Sequence, residues 1–467
     1  MITLQLPCKK SDPGSVLLAA LIILAVTFAA VSATLFEAAG RYKISHQSSR
    51  WAQAGQAAEG GCEIGLVTAQ NSSWVVDGWS GAPGAVGSAA VTKTVVLDTG
   101  MVATGAINAS IAADQVNVNG VPWLRIRSTG TADLAAGKQS GIDTADNLLR
   151  KVALLRNRYT NTTLTTPQAT RTFEMMAEPK SPFGMAILLS KSIDMTGGSL
   201  VDSFDSSDPT KSTGSQYDSS KRQSNGNIGL NKSDGSNLQG SYVYGKLDYT
   251  GTPVQNTYNV QGAISTPFKK PIPTVSAPTW SSYNPTPTII SSSKTLTGGP
   301  QGSPAYYKVT SLSLSGGNIL DLAPHSAGQQ SYIEIWVTGD VTTTGSAFIQ
   351  IENGVHATFH VGGDMKITGS AIVNANNIST NAIVNVITPA PGVAQAVTIN
   401  GGASMIAAIN APGADFTLTG GAVIYGALIG QSLKTTGTAM IHYDEALAKL
   451  HGTGYGYKFS GFAEAVR

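Results

Sequence analysis

The chain has 467 residues, a formal net charge of +2 at pH 7, and only 12% Asp, Glu, Lys and Arg. It contains 52 glycines and many small polar residues, a composition that disfavours a helical globule and favours an elongated β structure with many tight turns. The sequence has no Lys and Arg cluster with interleaved aromatic residues, so a nucleic-acid partner is not expected. The length allows two or three domains.

An uncharged run of 21 residues, Val16–Phe36, follows a short leader that contains Lys9, Lys10 and Gly14. As a helix, this run would span ~31 Å, which is about the hydrocarbon thickness of a bilayer. A secretory signal peptide normally has a shorter apolar region, of about 7–15 residues. The run therefore predicts a membrane-anchoring helix, with the bulk of the chain outside the cytoplasm.

The helix is predicted to continue beyond Phe36. Small and apolar residues at helical spacing form one narrow face, made of Trp51, Ala54, Ala58, Cys62 and Leu66. Gly60 and Gly61 each weaken a helix by about 1 kcal/mol, so a kink or an end is expected there. If the leader with Cys8 is removed, one thiol remains and no internal disulfide can form.

The order of a basic leader, Gly14, an apolar helix and the stretch Gln56–Gly61 resembles the N-terminus of type IV pilin-like proteins, nearest to minor pilins of the PilX kind. The resemblance implies that a prepilin peptidase cuts between Gly14 and Ser15, and that the helix packs against other pilin-like subunits in a filament. Ala19 stands where most major pilins carry Glu, which fits a minor or tip subunit. A simple membrane anchor is the alternative.

Residues 72–180 are predicted to form a small β-rich module. Alternating apolar and polar residues predict strands at Val91–Leu97, Val121–Leu134 and Arg171–Ala177. The stretch Asn147–Tyr159 fits either a helix or a strand.

One short phrase recurs between residues 181 and 445: a polar residue, Gly, two small residues and then apolar residues. Its copies begin at Thr196, Thr344, Thr368, Asn400, Thr419 and Thr436. Repeats near 20 residues with glycine turns predict a β-solenoid, a right-handed parallel β-helix, over 181–447. Glycine would supply a positive φ at each turn. The predicted core residues are Val341, Ile349, Ile351, Phe359, Val361, Ile367, Ile372, Ile399, Ile406, Ile409, Phe416, Leu418, Ile424, Leu428, Leu433 and Ile441.

Two segments interrupt these repeats. Residues 203–237 are rich in Ser, Asp, Lys, Asn and Gly and predict a solvated loop, and residues 266–304 are rich in proline and predict an irregular or polyproline-like excursion. Further strands are predicted at Tyr242–Tyr249, Tyr306–Leu314 and Tyr332–Val337. The sequence assigns no structure to the tail, residues 448–467.

The phrase His442–Leu447, which reads HYDEAL, follows the last repeat and is predicted to cap it. A solenoid that ends in such a phrase resembles the uncharacterised C-terminal domains that are joined to PilX-like N-termini. This second resemblance supports the architecture and implies no activity.

Two aspartates are the candidates for catalysis. Asp340 and Asp364 occupy equivalent repeat positions, and a β-helix enzyme acting on polysaccharides would need clustered carboxylates on one face. A Gly-Asp turn that recurs with the repeat accounts for them better. The chain is therefore predicted not to be an enzyme, with no catalytic residue and no cofactor.

Two groups of residues are candidates for metal binding. His356 and His360 would share one face of a strand but lie ~13 Å apart, too far to bind one metal. Asp202, Asp205 and Asp208 could bind Ca²⁺ loosely, but their stretch lacks the spacing and glycine of an EF-hand and predicts a solvated loop. No metal site is predicted.

These observations predict a pilin-like structural protein with five parts: a leader (1–14), a hydrophobic helix (15–71), a β-rich module (72–180), a solenoid (181–447) and a tail (448–467). It would be a minor subunit of a type IV pilus or related pseudopilus that displays a solenoid for adhesion or envelope contact. Its expected partners are other pilin-like subunits, the prepilin peptidase and the bacterial inner membrane, and a surface or glycan ligand stays unidentified. The alternatives are a non-assembling membrane-anchored scaffold and a membrane-tethered polysaccharide-active enzyme.

Overall fold

The structure is a computed structural model that describes residues 13–71, 74–84, 86–96, 107–118, 121–134, 168–369, 371–451 and 456–465. The leader before Pro13 and the stretch Asn147–Tyr159 lie outside the described residues. The chain is mainly β with one long N-terminal helix. It divides into two compact units: unit 1 comprises residues 1–69, 73–178 and 459–467, and unit 2 comprises residues 70–72 and 179–458.

In chain order, the helices and strands are α1 (Pro13–Asn71), β1 (Val91–Val96), β2 (Ile107–Val118), β3 (Val121–Asp133), β4 (Gln168–Pro179), β5 (Ile187–Leu189), β6 (Ile193–Met195), β7 (Leu200–Phe204), η1 (Ser219–Lys221), β8 (Ile228–Leu230), β9 (Tyr242–Val243), β10 (Leu247–Tyr249), η2 (Thr257–Asn259), β11 (Ile264–Ser265), β12 (Ile289–Ile290), β13 (Lys294–Thr297), β14 (Gly299–Pro300), β15 (Ala305–Val309), β16 (Ser311–Leu314), β17 (Ile319–Ala323), β18 (Ser331–Val337), β19 (Val341–Thr343), β20 (Phe348–Ile351), β21 (Val355–Val361), β22 (Met365–Thr368), β23 (Ile372–Asn374), η3 (Ser379–Asn381), β24 (Ala382–Val386), β25 (Ala396–Asn400), β26 (Ser404–Asn410), β27 (Asp415–Gly420), β28 (Val423–Gly430), β29 (Ser432–Gly437), β30 (Met440–Asp444), η4 (Glu445–Lys449) and β31 (Tyr457–Glu464).

Sheet A has the strand order β1-β2-β3-β4-β31. β1, β2, β3 and β4 pair antiparallel in succession. The three strands predicted before residue 180 are confirmed, whereas β2, whose buried positions are shared equally between isoleucine and alanine, was missed. The C-terminal strand β31 lies beside β4, where Arg171 donates two hydrogen bonds of 2.7 Å to Glu464 and the rings of Phe173 and Phe462 stack 4.9 Å apart.

Helix α1 continues to Asn71, so a helix end near Gly60 and Gly61, one of the two predicted alternatives, is wrong. Gly61 faces sheet A, where an added Cβ would collide with the side chain of Ser128. The absence of a side chain lets helix and sheet approach closely, and this packing offsets the helix-weakening effect of glycine. Ala54, Ala58 and Cys62 are buried as the predicted face requires.

Trp51 departs from the predicted narrow face of the helix. Its side chain is 53% exposed, although the guanidinium of Arg171 lies over its ring at 5.1 Å. Ala57 is fully buried and takes a place on the packed face that the prediction did not include. The packed face therefore consists mostly of alanines, which permit short distances to the sheet.

Unit 2 contains the 18-stranded sheet B and the 8-stranded sheet C. Neighbouring strands pair in parallel, except that β14 pairs antiparallel with β18. In sheet C, for example, Val341 of β19 pairs with Met365 of β22, which pairs with Val397 of β25. A single cluster of buried apolar side chains extends through both sheets, from Phe183 to Leu447.

The glycines of the repeated phrase stand above one another at the turns. Gly420 pairs with Gly437, and both adopt positive φ values, +68° and +89°. Gly197, Gly345, Gly369 and Gly401 also have positive φ, which confirms the predicted role of glycine. All the predicted core residues are buried except Ile406, which is partly exposed. In β26 the side chain of the preceding residue, Met405, points into the core instead.

The strands do not stack in chain order. β5 pairs with β28 (Ile187 with Leu428), β6 with β29, and β7 with β30 (Leu200 with Met440), so the last repeat lies against the first. β8, β9, β10 and β11 then extend the stack beyond β5 and β7. The prediction that His442–Leu447 caps the stack is therefore wrong, because β7 covers β30 on the side away from β28.

The chain returns from one end of sheet B to the other through residues 266–288, which we call the strap. Backbone hydrogen bonds join Phe268 to Tyr249, Val275 to Thr388, and Asn284 to Tyr306. These partners lie on or beside β10, β24 and β15, in the order of sheet B. The proline-rich excursion predicted over 266–304 is thus shorter, since strands resume at β12.

Residues 203–237 differ from the predicted solvated loop. They include the end of β7, helix η1 and strand β8, and the side chains of Phe204, Asp205, Ser206 and Ser212 are buried. The Ser and Asp side chains bond to backbone groups within the segment, as Asp218 does to the N–H of Ser220 at 2.9 Å. Local side-chain hydrogen bonds of this kind order a polar segment without an apolar core.

Candidate functional site

The N-terminal half of helix α1 is an unpartnered apolar surface. Its large apolar side chains are 53–80% exposed, a set made of Leu17, Leu18, Leu21, Ile22, Ile23, Leu24, Val26, Phe28, Val31, Leu35 and Phe36. Among the described residues, this is the one helix long and apolar enough to cross a membrane, with a candidate span of Ala20–Gln70 and a mean hydropathy of 2.1 in its best window. The C-terminal half instead packs its alanines against sheet A.

Gly14 and Ser15, the predicted processing site, lie in the first turn of α1. The leader residues that a peptidase would also contact precede Pro13 and lie outside the described residues. Cleavage between Gly14 and Ser15 stays a prediction.

Asp340 and Asp364 lie one repeat apart, as their matching repeat positions predict. Oδ1 of Asp340 accepts the backbone N–H of Asp364 at 2.9 Å, and Oδ1 of Asp364 accepts the N–H of Ala396 at 2.9 Å. Each carboxylate thus satisfies a backbone donor at the turn of the following repeat. This arrangement gives both aspartates a role in ordering turns.

His356 and His360 lie on the outward face of β21, and each forms a side-chain hydrogen bond to a residue on or just before the neighbouring strand β18. A ring nitrogen of His356 lies 2.7 Å from Oε1 of Gln330, and one of His360 lies 3.2 Å from Oε2 of Glu334. Burial lowers the pKa of His356 below its usual value. No group of three or more His, Cys, Asp or Glu among the described residues could hold a metal ion.

Asp202 belongs to a buried cluster rather than to a solvated loop. Its side chain is inaccessible to solvent, and Oδ1 lies 2.6 Å from Nδ1 of His442, which is 2% exposed. The hydroxyl of Tyr217 donates to Oδ2 at 2.6 Å. Both carboxylate oxygens therefore have partners within the protein, which accounts for a charge at this buried position.

Aromatic rings enclose His442 on two sides. The ring of Tyr217 stacks on the imidazole at 3.8 Å, and that of Tyr425 stacks at 5.1 Å. Phe204 packs edge-on against both tyrosines. Burial, followed by the bond to Asp202, raises the pKa of Tyr217 above its usual value, so this hydroxyl stays protonated and remains a donor.

The HYDEAL phrase joins this cluster to neighbouring segments. Asp444 accepts hydrogen bonds from the N–H and the hydroxyl of Ser206, at 3.0 and 2.7 Å, and caps η4 through the N–H of Ala446. The hydroxyl of Tyr443 donates to the carbonyl of Phe183 at 2.6 Å, and burial raises its pKa. The phrase therefore holds the segment after β7 to the end of β30.

Sequence reasoning missed this cluster, although a signal for it was present. Tyr425, His442 and Asp202 each stand five residues after the glycine of a repeated phrase, at Gly420, Gly437 and Gly197. The structure pairs Tyr425 with His442, and His442 with Asp202. Alignment of the phrases, together with the stacking order, would have placed the three in one column.

Comparisons with known proteins give a domain family and a solved structure. The model of DUF7305, a domain of unknown function, matches residues 287–450, about a third of the chain, from the segment just before β12 to the end of η4. Competence-associated pilin ComZ from Thermus thermophilus is similar at 13% identity and a TM-score of 0.25, over 89% of this chain and 98% of that chain. No curated protein matches. The matched domain brings no activity with it.

Proposed function

We propose that this chain is a pilin-like surface protein, a minor subunit of a type IV pilus or related pseudopilus. The observation that carries the proposal is the division of helix α1, whose first half is apolar and exposed while its second half packs on an antiparallel sheet. Such a helix can anchor the chain in the membrane before assembly and can pack against the helices of other subunits in a filament.

The exposed half of α1 requires an apolar environment. Fully burying a Leu, Ile or Phe side chain is favourable by about 1.5–3 kcal/mol, and eleven such side chains and valines line this half. A bilayer supplies this environment before assembly, and equivalent helices supply it within a filament. The same surface therefore serves the inner membrane and the partner subunits in turn.

The residue at position 19 helps to distinguish a major pilus subunit from a minor one. In the pilin-like resemblance, Ala19 replaces the Glu that most major subunits carry and that is thought to neutralise the N-terminal amine of a neighbour. A subunit without that Glu fits a minor or tip position. We propose that the prepilin peptidase cuts between Gly14 and Ser15 before assembly.

We infer that unit 2 is a β-solenoid that the filament displays. Support comes from the parallel pairing of successive repeats, the aligned positive-φ glycines and the single core cluster shared by sheets B and C. We infer also that the chain is not an enzyme, since Asp340 and Asp364 each bind a backbone N–H. Its role would be adhesion or contact with the cell envelope.

The first experiment is mass spectrometry of the mature N-terminal peptide from native cells. We expect a methylated Ser15 at the new N-terminus and no peptide from residues 1–14. Replacing Gly14 with Val should retain the leader, whereas Gly40→Ala, at an exposed glycine with open space around it, should be processed normally. An intact Met1–Gly14 leader in the wild-type protein would refute the proposal that the chain is a processed pilin-like subunit.

A second experiment separates an assembled subunit from an anchored scaffold. Filaments sheared from native cells should contain the processed chain. Leu24→Arg, which places a charge in the middle of the exposed apolar surface, should remove the chain from that fraction. If the processed wild-type chain stays entirely in the membrane fraction, a non-assembling membrane-anchored scaffold is the better account.

A further inference from the structure

A cleft opens between the end of the strap and the turn that follows β15. Backbone hydrogen bonds fix the strap on both sides, from Asn284 N–H to the Tyr306 carbonyl at 2.6 Å and from Thr310 N–H to the Thr288 carbonyl at 2.7 Å. Pro285 and Pro287 lie between these bonds and have no N–H to donate, so the strap cannot pair with the strand at this point. The gap has a volume of ≈ 380 Å³.

The cleft contains a cation without a carboxylate partner. Nζ of Lys308 lies 4.1 Å from the ring centroid of Trp336 and 5.3 Å from that of Tyr283. No salt bridge to Lys308 occurs in the part of the chain that the structure describes, and Glu334 of the neighbouring strand is paired with His360. Two aromatic rings thus position the ammonium group of Lys308, and its positive charge is available to bind an anionic ligand.

Polar groups line the rest of the cleft. They come from Asn284, Thr286, Thr288, Thr310 and Thr338. Oγ1 of Thr286 is buried and has no hydrogen-bond partner among the residues that the structure describes. A buried hydroxyl without a partner is costly, so a ligand or water that bonds to it gains that free energy on binding.

The geometry points to a site for an acidic sugar residue, of the uronic acid class, within a polysaccharide. Lys308 would bind the carboxylate, and the threonine hydroxyls and Asn284 amide would bind the sugar hydroxyls. The ring of Tyr283, 37% exposed, would cover one face of the sugar. The volume lies at the small end of the range of about 300–1,000 Å³ typical of ligand pockets, which suits one sugar residue.

This inference extends the proposed function by naming a ligand class. As an account of adhesion it rests on the surface location proposed above. Binding itself, however, is measured on the isolated chain and does not require leader cleavage or assembly. A failed binding test therefore leaves the pilin-like proposal standing, and an uncleaved leader leaves the binding site standing.

The test is isothermal titration of the full chain in detergent with trigalacturonic acid as the probe. We expect saturable binding that weakens as salt is added, because the Lys308–carboxylate contact is exposed to screening. Lys308→Gln should weaken binding by about tenfold or more. Lys366→Gln, at an exposed lysine of β22 outside the cleft, should bind like the wild type.

Two further measurements test the sugar and the site. Thr286→Val, which replaces a hydroxyl by a methyl of similar size, should weaken binding without lowering the thermal unfolding temperature, because the hydroxyl that it removes has no partner among the described residues of the free protein. Neutral maltotriose should bind far more weakly than the acidic probe. The inference is overturned if trigalacturonate gives no saturable heat, if Lys308→Gln binds as tightly as the wild type, or if maltotriose or sulfate alone binds equally well.

Discussion

Oδ1 of Asp202 and Nδ1 of His442 lie 2.6 Å apart, although the two residues are separated by 240 positions in the chain. The contact joins β7, in the first repeat of unit 2, to β30, in the last. Both side chains are almost inaccessible to solvent. A polar contact between the two ends of the repeated region therefore lies inside the stack.

Asp202→Asn should destabilise unit 2. The substitution removes the negative charge that pairs with His442 and leaves the Tyr217 hydroxyl with a weaker acceptor, and breaking a buried pair typically costs about 3–5 kcal/mol. We expect a loss near 3 kcal/mol, read from hydrogen–deuterium exchange of the peptides that cover β7 and β30. Asp248→Asn, on partly exposed β10, should change exchange by less than about 0.5 kcal/mol. Unchanged protection in Asp202→Asn would contradict a stabilising role.

Gly420→Ala should destabilise the stack at the turn after β27. Gly420 has a φ of +68°, and an added Cβ would lie 3.2 Å from the carbonyl oxygen of Gly401. The left-handed conformation costs a residue with a Cβ about 1–2 kcal/mol. The neighbouring Gly421 has ordinary space around it and no positive φ, so Gly421→Ala should stay within about 0.5 kcal/mol of the wild type. Urea denaturation measures both, and equal stabilities would argue against the glycine requirement.

Gly60 and Gly61 make a matched pair in helix α1. A Cβ on Gly61 would collide with Ser128 in sheet A, whereas a Cβ on Gly60 would meet open space. Gly61→Ala should therefore cost about 1–3 kcal/mol through overpacking, and Gly60→Ala should stabilise unit 1 by about 0.5–1 kcal/mol through helix propensity. Exchange of the β3 amides reports both changes. If the two variants shift stability in the same direction, the helix does not pack on sheet A through Gly61.

Lys270 should make the stability of unit 2 depend on alkaline pH. Burial, and then the positive charge of Lys180, lower the pKa of Lys270 below its usual value of 10.5. Unfolding restores the usual pKa, so the unfolded chain binds more protons between the lowered pKa and 10.5, and stability contributed by this group rises with pH across that window.

The variant Lys270→Met removes this titration while keeping the backbone hydrogen bonds to Asn231. It should be more stable than the wild type at pH 7, and the difference should shrink as the pH approaches 10.5. Urea denaturation at a series of pH values gives the comparison. Lys269→Met, at the exposed neighbouring lysine, is the control for the loss of a positive charge from this segment, and a pH-independent difference between Lys270→Met and the wild type would refute the lowered pKa.

The turn glycines and most of the core could be predicted from the sequence, for a physical reason. A positive φ at a turn restricts the choice of residue, so Gly197, Gly420 and Gly437 are visible in the sequence itself. Alternation along each strand likewise marks which residues face inward. Ile406 shows the limit of such a pattern. Met405 and Ile406 are adjacent and both apolar, so the sequence does not indicate which of the two side chains faces the core.

The stacking order could not be predicted, because all copies of the phrase are alike. Nothing in the copy at Thr436 specifies that the copy at Thr196 lies beside it, a choice settled by contacts such as Met440 with Leu200. The Asp202–His442 cluster depends on that order, and the cleft at Lys308 depends on the path of the strap. Both candidate sites are therefore products of contacts between distant segments.

The long segment of unit 2 begins at Pro179, the last residue of β4, and ends at Lys458, the second residue of β31, and these two strands are neighbours in sheet A. The N–H of Lys180 donates to the carbonyl of Gly456 at 3.0 Å, so the chain leaves and returns at nearly the same point. Insertions between adjacent chain ends are tolerated well in evolution. Relatives are therefore expected in which the same helix and sheet carry a longer, a shorter or an unrelated insert between these two strands.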